Sequence, residues 1–95
     1  MLTSKQRAVL KSLASKEDTI MQVGKGGISD SLIKLADDAI KKRELIKIKV
    51  LETTPQDIEE VATVIAEKTN SEIVQIIGAK IVLYRKNKKK PIIKL

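Results

Sequence analysis

The chain has 95 residues, with 19 Lys and Arg against 12 Asp and Glu, for a formal charge of +7 and a pI near 9.7. It has no Cys, no His and a single aromatic residue, Tyr84. These absences exclude zinc fingers, disulfides, thiol nucleophiles, His-dependent triads and the base-stacking platforms of RRM and single-strand-binding OB domains. At 42% hydrophobic residues the chain can fold, and its length suits one domain with one modest core.

The elements follow in order. Thr3-Ser4-Lys5-Gln6 fits a capping box and predicts a helix to about Ser15, burying Val9, Leu10 and Leu13, with Lys5, Arg7, Lys11 and Lys16 on the other side. Residues 19–23 read as a short strand ending abruptly at Gly24. Gly24-Lys25-Gly26-Gly27 is a loop. Ser29 is the expected N-cap of a second helix, with Ile28 and Ile33 placed as a hydrophobic staple. Leu32, Leu35, Ala36, Ala39 and Ile40 form its apolar stripe, and Lys41-Lys42-Arg43 suit the negative end of its dipole.

Residues 45–51 alternate. Ile46, Ile48 and Val50 occupy one face and Lys47 and Lys49 the other, which predicts a half-buried strand with a wet, basic face. Thr54 as N-cap and Pro55 at the first turn open a third helix, with Ile58, Val61, Ala62, Ile65 and Ala66 as its stripe and Asn70 at its end. Residues 73–77 and 80–85 are two strands about Gly78-Ala79, a pair suited to a two-residue type II′ hairpin. The predicted fold is α/β, a single compact α-β-α-β-α-β-β domain with a four-stranded mixed sheet over residues 1–86. Residues 87–95 read as a basic, partly mobile tail.

Charge is segregated along this order. Residues 1–50 carry a net +5, residues 51–78 a net −5 and residues 79–95 a net +7. One acidic side around the third helix and a basic remainder favour a polyphosphate partner, RNA or DNA. The glycine loop strengthens that reading. Three of the four glycines fall within four positions, at a strand-to-helix junction where free N–H groups and Lys25 suit a phosphodiester. The same spacing also suits a tight turn with no ligand. The Walker A pattern is absent, which argues against a nucleoside triphosphate.

Four segments together resemble the CRM family, the chloroplast RNA splicing and ribosome maturation domain, in its stand-alone bacterial YhbY-like form. They are LTSKQRAVLKSLA, VGKGGIS, KKRELIKIKV and VQIIGAKIVLYRK, spread over residues 2–86. The resemblance implies a fold similar to the C-terminal domain of translation initiation factor three. It also implies RNA binding in large-subunit assembly, with pre-ribosomal particles or large-subunit rRNA as partner. It maps the family's GxxG motif onto Gly24, Lys25, Gly26 and Gly27.

The remaining residues are weighed on their own chemistry. Lys41, Lys42, Arg43, Lys47 and Lys49 are candidates for a basic patch beside the loop, joined by Lys5, Arg7, Lys11, Arg85 and Lys86. Tyr84 suits sheet packing better than base stacking. The pairs Asp37-Asp38 and Glu59-Glu60 are helix neighbours that do not face each other, so neither is a catalytic dyad. No nucleophile–base pair, metal cluster or cofactor motif is present, so a non-catalytic binder without cofactor is expected, with an architectural DNA-binding protein of the Alba kind as the alternative. The chain shows no apolar leader or membrane span, and a cytoplasmic, monomeric protein is the expectation.

Overall fold

The computed structural model describes residues 2–95. Its elements are α1 (Ser4–Ala14), β1 (Met21–Val23), α2 (Asp30–Arg43), β2 (Leu45–Val50), α3 (Ile58–Thr69), β3 (Glu72–Ile77) and β4 (Lys80–Tyr84). The predicted order holds. The sheet runs β1-β2-β4-β3, with β1 parallel to β2 and β4 antiparallel to both of its neighbours. Strands joined through a helix therefore share a direction, and β4 returns between them.

Helices cover both faces. On one face α2 and α3 pack Ala36, Ile40, Val61, Ala62 and Ile65 onto Val23, Ile46, Ile48, Ile81 and Leu83. On the other face Leu10 and Ala14 of α1 meet Leu45, Val74, Val82 and Tyr84. Tyr84 is a packing residue, buried at 6% exposure.

Local signals explain most boundaries. The capping box is complete: Thr3 Oγ1 accepts the Gln6 N–H at 3.1 Å, and Gln6 Oε1 accepts the Thr3 N–H at 3.0 Å. Ser29 Oγ accepts the Leu32 N–H at 3.1 Å. Asn70 ends α3 in the left-handed region at φ 53°, where Asn is tolerated. Gly78 has φ +57° while Ala79 does not turn positive, the pattern of a type II′ turn.

Several expectations are corrected. β1 is shorter than residues 19–23, although the Ile20 N–H still reaches the Lys47 carbonyl at 3.0 Å. On α1 the buried positions are Leu10 and Ala14, while Val9 and Leu13 are 41% and 36% exposed. A helix lying across a sheet buries a narrow strip, and the strip passes through i and i+4 from Leu10. Leu35 leaves the α2 stripe for solvent. Thr54 does not cap α3. Its Oγ1 donates to the Val23 carbonyl at 2.8 Å, and the helix opens three residues later at Asp57.

The C-terminal segment folds back onto the domain. Glu44 is fully buried at the end of α2, and its carboxylate accepts the N–H groups of Asn87, Ile92 and Ile93 at 2.6–2.7 Å. Ile93 packs against the α1-side core. A buried acceptor takes up backbone donors that a free tail would leave to water.

Candidate nucleic-acid interface

The loop after β1 sits at one end of the sheet. Val23 is level with Val50, Lys49 with Lys80, and Ile77 with Lys80. The glycine loop, the segment after β2 and the Gly78-Ala79 hairpin therefore share that end, and the Val50 N–H donates to the Ala79 carbonyl at 2.7 Å.

The loop is a closed turn in which the Gly27 N–H donates to the Gly24 carbonyl at 2.8 Å. Lys25 and Gly26 form its exposed tip, and a Cβ at Gly26 would meet nothing within 4 Å. The outer glycines differ. Gly27 has φ +66°, and a Cβ there would lie 2.7 Å from Gln56 Oε1 and 3.1 Å from Pro55 Cγ. Gln56 is packed so closely that its Oε1 is buried without a hydrogen-bond partner. Gly27 therefore answers the close approach of residues 55–56, while Gly26 answers no contact among the described residues. At the helix entry Ser29 satisfies one free N–H, and Asp30 adds a negative charge in the first turn of α2. Both features weaken the α2 N-terminus as an anion site.

The other predicted site residues scatter. Lys41, Lys42 and Arg43 end α2, whose fourteen residues place them about 20 Å from the loop, so they do not extend it. Arg7 Nη1 donates to the Ile73 and Val74 carbonyls at 2.6 and 2.9 Å, covering the edge of β3 at its bulge. Arg85 bridges Asp37 Oδ1 at 2.7 Å and the Thr69 carbonyl at 2.6 Å, tying the middle of α2 to the end of α3. Lys47 does not face water freely. Its Nζ donates to the Ala14 carbonyl at 3.1 Å, and α1 covers the strand face expected to be wet. Lys5, Lys11 and Lys86 are exposed. Lys49 lies at the loop end, beside a residue absent from the sequence expectations, Lys80. Pairing between β2 and β4, three elements apart in the chain, places Lys80 there, and no local pattern announces it.

Acidic Glu59, Glu60 and Glu67 are exposed on α3, across the sheet from α1. Among the described residues no cluster of His, Cys, Asp or Glu suits a metal ion, and no helix is long and apolar enough to cross a membrane.

Comparison with known proteins decides the family. The CRS1/YhbY (CRM) domain model matches residues 2–85. The chain belongs to the CRM domain family. It is 43% identical over 95 residues to the Bacillus subtilis protein YqeI, named a probable RNA-binding protein, covering 100% of this chain and 99% of that one. It is 31% identical over 84 residues to a Haemophilus influenzae protein named an RNA-binding protein, covering 88% of this chain and 85% of that one. The solution structure of SAV1595 from Staphylococcus aureus, described as a candidate RNA-binding protein, superposes with a TM-score of 0.83 at 48% identity, covering 100% and 99% of the two chains. The CRM fold thus accounts for the α/β architecture as well as for the sequence segments.

Proposed function

We propose that this CRM protein is a non-catalytic RNA-binding factor that grips RNA backbone at the glycine-loop end of its sheet, in assembly of the large ribosomal subunit. The open Lys25-Gly26 tip carries the reading. No described residue crowds a Cβ at Gly26, and a phosphodiester can approach its backbone closely. The names of the relatives and the +7 charge support RNA as the partner. With Tyr84 buried, no aromatic is available for base stacking, so affinity comes from phosphate contacts.

Binding of a fluorescent RNA stem-loop should lose two to three orders of magnitude between ~50 and ~200 mM salt if about five phosphates are neutralised. A flat response overturns the electrostatic grip. Equal competition by duplex DNA of the same sequence would favour the architectural DNA-binding alternative. Cosedimentation with large-subunit precursors on sucrose gradients at low salt tests the assembly role, and absence from every ribosomal fraction removes it.

A further inference from the structure

The sheet face that carries α1 is only partly covered. Leu10 and Ala14 close it over Leu45, Val74, Val82 and Tyr84, and Lys47 reaches the end of the helix. The next row toward the glycine loop lies outside that cluster. It consists of Gln22, Lys49, Lys80 and Ile77, one residue from each strand, directly paired across the sheet. Their neighbours Val23, Ile48, Ile81 and Ile76 face α2 and α3, which fixes these four on the opposite face. Gln22 and Lys80 are exposed, Lys49 is half-buried, and Ile77 is 54% exposed.

Lys49 and Lys80 stand opposite each other in an antiparallel pair. Like charges in that position destabilise a sheet. Neither ammonium has a hydrogen-bond or ion-pair partner among the described residues, so no described carboxylate pairs with either to offset the repulsion. An anion between them does. The acidic residues of α3 lie behind the sheet and do not reach this face.

We infer that the row Gln22–Lys49–Lys80–Ile77 is a track for one RNA strand, which crosses the four β-strands from the glycine loop to the β3 edge. The inference rests on the proposed RNA-binding role and extends it from the loop to the sheet. Three inter-strand spacings make the row about 14 Å long, which suits a polymer strand better than a single phosphate. Lys49 and Lys80 hold phosphate oxygens, Gln22 donates from its amide beside the loop, and Ile77 packs on a sugar or base edge at the far side.

The test compares wild type, Lys25→Gln and the double variant Lys49→Gln/Lys80→Gln by anisotropy with a labelled RNA stem-loop across a salt series. Removing two phosphate contacts should reduce the slope of log K against log salt by about 1.8 for a duplex stem, or about 1.4 if the contacted strand is unpaired. The melting temperature of the double variant should be unchanged or higher, because the like-charge pair is relieved. An unchanged slope in the folded double variant, with Lys25→Gln still lowering it, overturns the track and leaves the RNA-binding reading standing. A wild-type protein that does not bind the stem-loop at low salt overturns both.

Discussion

Glu44 and Ile93 are 49 residues apart, yet the buried Glu44 Oε1 accepts the Ile93 N–H at 2.6 Å. The same oxygen takes the Ile92 N–H, and Oε2 takes that of Asn87. One side chain thus fastens three points of the C-terminal segment to the end of α2. Glu44→Gln keeps the volume but turns an amide donor toward one of these donors. It should lower stability by about 1–3 kcal/mol and release the segment, seen as faster tryptic cleavage after Lys88 and Lys89. Equal cleavage rates in the two proteins would show that the carboxylate is not the fastening.

The glycine loop calls for different substitutions at different positions. Gly26 has open space and no positive φ, so Gly26→Ala should stabilise by about 0.4–1 kcal/mol through the unfolded chain. Gly27→Ala meets both a left-handed backbone and Gln56, and should destabilise by about 1–2 kcal/mol from the backbone alone. Urea denaturation of the two variants checks the difference. Loss of RNA affinity in Gly26→Ala then reports on contact, whereas a loss in Gly27→Ala mixes contact with folding.

The orientation of α1 is equally testable. Leu10 is completely buried, and Leu10→Ala should cost about 2–5 kcal/mol. Val9→Ala, at a 41% exposed position, should stay within about 0.5 kcal/mol. Similar costs at the two positions in chemical denaturation would mean that α1 is rotated from the arrangement described.

The order of elements was legible because each boundary has a local cause. Thr3 with Gln6, Ser29, Asn70 and Gly78 act within a few residues of themselves. What was not legible depends on partners far along the chain. Thr54 carries the chemistry of a helix cap, but the Val23 carbonyl claims its hydroxyl. Arg7 and Arg85 have the composition of a nucleic-acid surface, yet backbone carbonyls and Asp37 hold them. Lys80 stands opposite Lys49 only because β4 inserts between β2 and β3, an arrangement that neither segment encodes alone. Glu44 looks like one more surface charge after Lys41-Lys42-Arg43 until the C-terminal segment covers it.

Tyr84 gives a prediction in pH. Burial first, then the nearby carboxylates of Glu44 and Glu72, raise its hydroxyl above the ordinary 10.0. The unfolded chain therefore releases this proton at a lower pH than the native one. Stability from Tyr84 is fully present below about pH 10 and falls as pH rises from there through the native value. Because the chain has one tyrosine, tyrosinate absorbance reports this residue alone. Its midpoint should lie above that of the urea-unfolded protein. Tyr84→Phe should remove this residue's share of the alkaline loss of stability, measured by urea denaturation at matched pH. Native protein titrating at the same midpoint as unfolded protein, with its circular dichroism unchanged, would show that the hydroxyl is not held in the buried setting described.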